Sequence, residues 1–278
     1  MVVLASCSQG EAPRLGIEKP HLDAVFPAVL LPGSTMVLEG KGFATGGLGS
    51  TRVAVRGVRD DGTLLAEMWL PVDTIDDGRL EVVVDRTLWE RLGTGRLSLQ
   101  ILAVTVIAGE ESLSEPIELM VDVVEYLDPG LPSLSIPDLV FVNDELMITG
   151  SRLLLGGAEG QSLVTIDGCV SRDGECQPIT AAQVPLHPLG EFDRDAGTFA
   201  WRPELAGIRA GEFRGTIAVQ NHHPDDTIRA SEARGFDLEL RESAVFGPGR
   251  VAASLGQYID IEGAGFVESS ERGDTLIR

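Results

Sequence analysis

The amino-acid sequence predicts an all-β chain: two complete β-sandwiches in tandem and the start of a third. Three observations carry this. First, a phrase recurs. Met36-Val37-Leu38-Glu39-Gly40-Lys41-Gly42-Phe43 returns as a diverged Leu146-Met147-Ile148-Thr149-Gly150-Ser151-Arg152-Leu153, and again as Ile259-Asp260-Ile261-Glu262-Gly263-Ala264-Gly265-Phe266. Its anchoring glycines recur at intervals of roughly 110 residues, the size of one small domain. Second, each copy alternates with period two, the mark of a half-buried strand. Met36 and Leu38, Leu146 and Ile148, Ile259 and Ile261 fall on one face; Val37 and Glu39, Met147 and Thr149, Asp260 and Glu262 fall on the other. Third, 33 glycines and 15 prolines punctuate short apolar runs, and aromatic residues are only 5%. Cores must then be built from Val, Leu and Ile, which suits sheets.

The Gly-x-Gly that ends the phrase lets the chain bend and return Phe43 or Phe266 to the core. A Gly- and Ser-rich loop and a second strand follow, at 52–56, 163–167 and the start 275–277. With Phe26-Pro27, a turn at Pro32-Gly33 and the strand ending Glu39-Gly40-Lys41-Gly42-Phe43, the first repeat resembles the IPT/TIG domain. That family is an immunoglobulin-like sandwich found in tandem on cell-surface proteins. The third repeat matches through Val245 to Gly249 and Glu262 to Phe266; the second departs, with Ser151-Arg152-Leu153 where Gly-x-Phe is expected. The resemblance implies immunoglobulin-like sandwiches and names no ligand.

Taken in order, residues 1–21 read as a lipobox remnant and a flexible tether. Leu4-Ala5-Ser6-Cys7 resembles a bacterial lipobox, which implies that Cys7 is diacylated and becomes the mature N-terminus. Only Met1 to Ala5 stands upstream, so the reading expects a truncated or late-placed start. Ser8 after the cysteine resembles the outer-membrane sorting pattern of enteric bacteria. Ser8-Gln9-Gly10-Glu11-Ala12-Pro13 fits a polar tether. Residues 22–125 form the first domain, with strands expected at 35–39, 52–57, 64–70, 80–84, 96–107 and 116–124. Asp60-Asp61-Gly62 and Asp76-Asp77-Gly78 signal turns, and Trp89 to Leu92 a short helical turn. The run from Ile101 to Ala108 is too short to span a bilayer, which needs about 20 residues. Residues 126–132, with Asp128-Pro129-Gly130 and Pro132, read as a stiff linker.

Residues 133–243 form the second domain, with strands expected at 145–149, 162–167, 198–201, 213–220 and 235–240. Cys169 and Cys176 flank an Asp-Gly inside an apparent insertion. With Cys7 lipidated, the remaining cysteines are even in number and the compartment oxidising, so the pair reads as a disulfide across a hairpin or loop. Two free thiols are the alternative. Residues 244–278 begin a third unit with too few strands to enclose a core, as in a fragment of a longer array.

The net charge is −21, and the acidity is spread over both repeats. No basic surface for nucleic acid is expected, and charge disfavours docking on anionic lipid. His222-His223 before Asp225-Asp226 is the most site-like cluster. Adjacent histidines on a strand face opposite ways, so it reads as a solvated loop and not a metal site. Asp73, Asp76 and Asp77 carry hard oxygen ligands, but their spacing does not match a calcium loop. Nucleophile elbow, zinc-helix, phosphate-loop and dinucleotide motifs are absent from the sequence. The expectation is therefore no catalytic residue, cofactor or metal, and a lipid-anchored stalk of the bacterial envelope. Its expected partners are the membrane, through the lipid, and other envelope proteins or glycans. A polysaccharide- or peptidoglycan-binding module, or the front of a larger surface enzyme, is the alternative.

Overall fold

The computed structural model describes residues 19–135, 140–141, 144–200, 210–246, 254–256 and 260–266. Two compact units divide the chain. The first comprises residues up to Leu30 together with Thr35–Val123. The second comprises the turn Leu31–Ser34 and everything from Val124.

Among the described residues the first unit contains ten strands and one α-helix: β1 (His21–Phe26), β2 (Val29–Leu30), β3 (Thr35–Lys41), β4 (Gly49–Arg59), β5 (Leu64–Leu70), β6 (Asp73–Thr74), β7 (Arg79–Val83), α1 (Arg86–Leu92), β8 (Gly95–Ile107), β9 (Glu110–Leu113) and β10 (Ile117–Val123). They form two sheets, ordered β1-β3-β7-β6 and β2-β10-β8-β4-β5, with β9 also on β8. If β1, β3, β4, β6, β7, β8 and β10 are lettered A to G, the sheets are ABED and CFG. That is the immunoglobulin arrangement, with β5 added beside C. Both layers feed one core: Met36, Leu38, Leu80 and Val82 from the first sheet, and Val53, Val55, Leu97, Leu99 and Ile101 from the second, all buried. The helix begins where Asp85 accepts the Leu88 N–H at 2.7 Å, a side-chain N-cap. It lays Leu88, Trp89 and Leu92 on the core.

The second unit repeats the plan. Its strands are β11 (Gly130–Ser135), β12 (Val140–Phe141), β13 (Glu145–Ser151), β14 (Gln161–Arg172), β15 (Glu175–Pro185), β16 (His187–Pro188), β17 (Ala196–Ala200), β18 (Gly211–His222), β19 (Ile228–Ala230) and β20 (Arg234–Arg241). The sheets are β11-β13-β17-β16 and β12-β20-β18-β14-β15, with β19 on β18: the same order, strand for strand. Leu146, Ile148, Val164, Ile166, Phe199, Phe213 and Val219 build its core. Beyond it, β21 (Ala244–Phe246) pairs with β22 (Glu262–Ala264).

Several expectations change. The proposed linker does not run to residue 132, because Gly130–Ser135 is the first strand of the second sandwich. The register on β13 slips between Gly130 and Ser133, so Pro132 falls in an irregularity of an edge strand, where a missing N–H costs nothing. The cysteine segment is no insertion: it is the tip of the long β14–β15 hairpin. Val37, expected outward, is 1% exposed. It lies on a central strand, flanked in register by Phe26 and Glu81. In the third repeat Ile261 and Phe266 are 41% and 38% exposed; among the described residues no second layer covers them.

Candidate functional site

The recurring phrase is a packing device. A side chain on Gly40 would strike the His21 carbonyl and lie 2.7 Å from Cζ of Phe43. Phe43 returns over the glycine and is buried. Gly150 does the same under Leu153, where an added Cβ would lie 2.9 Å from the Gly130 carbonyl oxygen. The turn that brings the apolar residue back needs positive φ one position before it: Gly42 at 75°, Gly265 at 74° and, in the diverged copy, Arg152 at 58°. The non-glycine residue carries strain that the other two copies avoid.

Loop bonding also recurs. Gly40 N–H donates to Gly78 O and Phe43 N–H to Asp77 O; in the second unit Gly150 N–H donates to Asp195 O and Leu153 N–H to Arg194 O. The Ala44 N–H donates to Thr51 Oγ1, and the Leu154 N–H to Ser162 Oγ, both at 2.8 Å. On this alignment Leu48 corresponds to Glu159, Asp77 to Arg194 and Thr105 to Asn221.

The second unit has filled those three places with a buried polar cluster. Arg194 meets Glu159 as a two-pronged fork, Nη1 to Oε1 at 2.8 Å and Nη2 to Oε2 at 2.9 Å. The two side chains are 8% and 3% exposed. Nη1 also donates to Leu153 O at 2.9 Å. Glu159 accepts from Ser34 Oγ at 2.8 Å and from the Leu155 N–H. Beside them Asn221 is fully buried. Its Oδ1 accepts from Ser162 Oγ, and its Nδ2 donates to Leu127 O and Arg152 O at 3.0 and 2.8 Å.

His223 completes the cluster. It is 6% exposed, not the solvated loop residue expected. Its Nε2 accepts the Leu127 N–H at 3.4 Å, which assigns the neutral ring with the proton on Nδ1. Tyr126 packs edge-on against it, with centroids 5.1 Å apart. Burial pushes the His223 pKa down, outweighing nearby Asp225. Tyr126 Oη donates to Asp225 Oδ2 at 2.7 Å. That bond holds the Asp225 carboxyl below its ordinary range and raises the tyrosine. Asp225 and Asp226 are exposed, and His222 turns away to Gln220, at 3.2 Å.

Cys169 and Cys176 are bonded, with Cα atoms 5.6 Å apart. They lie on paired strands at the hairpin tip, Ser171 standing opposite Cys176. Asp73, Asp76 and Asp77 are exposed. Asp76 Oδ1 accepts the Gly78 N–H at 2.8 Å, the bond of an Asx turn. Among the described residues no three His, Cys, Asp or Glu side chains converge as metal ligands. Cys7 lies outside the described residues.

No family model matches the chain, and no curated protein matches it. Solved structures similar to it include fibronectin(III)-like modules of Clostridium thermocellum CbhA, at 17% identity. That match covers 80% of this chain and 94% of that one, with a TM-score of 0.25. Two structures of the plexin A4 extracellular region match at 10% identity over 84% of this chain, with TM-scores of 0.26 and 0.27. The chain spans only 26% and 22% of those plexin chains. The immunoglobulin-like assignment rests on the strand order of each unit.

Sequence reasoning missed the cluster because periodicity does not report which loops meet. One signal was present. Between the aligned repeats, Leu48 becomes Glu159 while Asp77 becomes Arg194, two changes that create opposite charges together.

Proposed function

We propose that the chain is a non-enzymatic module of the bacterial cell envelope. A lipid on Cys7 tethers it, and its IPT/TIG-type sandwiches space, adhere or dock proteins. The observation that carries this reading is how the buried polar groups are used. Glu159, Arg194, Ser162, Asn221 and His223 are all bonded to loop backbone or to each other. Such bonding holds loops in one arrangement, whereas a reacting site keeps polar atoms aimed at a space for substrate. The lipobox-like Leu4-Ala5-Ser6-Cys7 and the hairpin disulfide both fit an exported protein.

The test is Cys7→Ser in the full-length precursor. Incorporation of labelled fatty acid should be abolished, and the protein should leave the membrane fraction. Continued labelling, or membrane association unchanged by the substitution, refutes anchoring at Cys7.

A further inference from the structure

The two units differ on the outward face of the CFG sheet. In the first unit this face exposes Val58 at 40%, Leu64 at 78%, Trp69 at 48%, Leu113 at 49% and Met120 at 48%. Register assigns their counterparts. Val58 pairs Ser98 and Leu64, and Ser98 pairs Met120; Cys169 pairs Arg214 and Pro178, and Arg214 pairs Asp237. Trp69 lies opposite Ala54, as Gln183 lies opposite Thr165. Leu113 lies opposite Val104, as Ala230 lies opposite Gln220. The second unit therefore carries Cys169, Pro178, Gln183, Ala230 and Asp237 where the first carries five large apolar side chains. The shared fold does not require these exposed apolar side chains, and several large ones gathered on one face mark an interaction surface.

The charges on the face say what it meets. Arg52 and Arg56 stand on β4. Glu111 and Glu118 stand across β8, on β9 and β10. Arg52 Nη2 reaches Glu111 Oε1 at 2.8 Å and also lies 5.0 Å over the Trp69 ring. Arg56 Nε donates to Gln100 Oε1 at 2.9 Å, and Gln100 Nε2 to Glu118 Oε1 at 2.7 Å. Arg52 and Arg56 thus lie to one side of β8 and Glu111 and Glu118 to the other, while Arg96 on β8 itself pairs with Asp122 and Glu67 on β5 lines the same hollow as Arg56. A two-fold axis parallel to β8, between two facing sheets, sets Arg52 and Arg56 of each copy over the acidic edge of its partner. The same operation lays Val58 over Met120. This is the self-complementarity that an isologous contact needs. Five strands at ~4.8 Å spacing and about seven residues at ~3.3 Å give a footprint of roughly 500 Å² per copy, near the lower bound for a specific interface.

We propose that the first unit pairs with a second copy of this chain through the outward face of its CFG sheet. The proposal deepens the interaction-module reading and rests on it. Its readout is solution mass, so it fails or stands apart from lipidation at Cys7. Sedimentation of the intact chain with Cys7→Ser, which removes thiol crosslinking, should show mass rising with concentration from 29.6 kDa to twice that. Trp69→Glu and Arg56→Glu should each weaken the dimer more than tenfold with unchanged circular dichroism, because both side chains point away from the core. Arg56→Glu with Glu118→Arg restores complementarity and should restore the dimer; Gln183→Glu, on the counterpart face, should leave it intact. A monomer at every concentration, a dimer indifferent to Trp69→Glu and Arg56→Glu, or no rescue by the double exchange overturns the proposal. Capture of a different macromolecule by a chain that stays monomeric also overturns it.

Discussion

Replacing Arg194 with methionine isolates the energetic role of the buried fork. The substitution keeps the length of the side chain and removes its charge. Glu159, with a side chain 3% exposed, would keep its bonds from Ser34 Oγ and the Leu155 N–H but lose both guanidinium prongs and sit as an uncompensated buried charge. Breaking a buried pair in this way costs about 3–5 kcal/mol. Glu159→Leu, which restores the residue type of the first repeat at Leu48, should cost a similar amount by stranding Arg194. The double variant removes both charges. It loses only the bonds to the Leu153 carbonyl, the Leu155 N–H and Ser34, about 1–3 kcal/mol for each buried group left unmatched. Its cost should therefore fall short of the sum of the singles by about 1–3 kcal/mol. Urea unfolding of the intact chain, followed by circular dichroism, reads this. With a slope of about 1–3 kcal/mol/M, each single variant should move the second unit's midpoint by roughly 1 M or more. Hydrogen exchange across β14 and β18 assigns the transition to that unit. Singles that cost under about 1 kcal/mol, as exposed pairs do, or a double equal to the sum, refute the reasoning.

Three further outcomes follow. His223 is held neutral by burial, so its folded pKa lies below the ordinary 6.5. The unfolded chain then binds the extra proton first as pH falls, and the second unit loses stability progressively below about pH 6.5; His223→Gln should flatten that slope in unfolding curves taken between pH 7 and 5, and an unchanged slope contradicts it. Leu38→Ala and Ile148→Ala, at fully buried positions, should each cost about 2–5 kcal/mol, while exposed Glu39→Ala should cost under about 0.5 kcal/mol; equal losses at 38 and 39 would mean the facing is wrong. Alkylation of the unreduced chain should spare Cys169 and Cys176, and reduction should destabilise the hairpin by about 2 kcal/mol at most, given the short loop.

Strands with two-residue alternation were legible from the residues: β3, β5, β8, β13 and β18 all contain their expected segments, and α1 contains the expected turn at Trp89 to Leu92. Two of the strands that escaped notice share a physical reason. β15 carries Pro178 and Pro185, and β11 carries Pro132. Prolines read as breakers in sequence, yet each of these strands lies at a sheet edge, where a strand tolerates them. The Asp128-Pro129-Gly130 signal was real, but it marks the entry to a strand and not a linker that runs on to residue 132. The polar cluster was less legible. Glu159 and Arg194 are 35 residues apart, and only the fold brings β13's returning loop, the Gly157–Glu159 turn and the approach to β17 together. His223 shows the same limit: its local sequence, His-His-Pro-Asp-Asp, looks solvated, and its burial comes from Tyr126 and Leu127 of a segment far away in the chain.

Both units being built on one plan, with the phrase glycine as its packing point, is tested most directly by adding a single methyl group. Hydrogen exchange of the intact chain should be compared for Gly40→Ala, Gly150→Ala and Gly47→Ala. A Cβ at Gly40 meets the His21 carbonyl and the Phe43 ring, one at Gly150 meets the Gly130 carbonyl, and one at Gly47 meets nothing within 4 Å. Protection of β3 and β8 should collapse in Gly40→Ala, and protection of β13 and β18 should fall by a smaller factor in Gly150→Ala. Gly47→Ala should match the unsubstituted chain. Equal behaviour of all three variants would contradict the account.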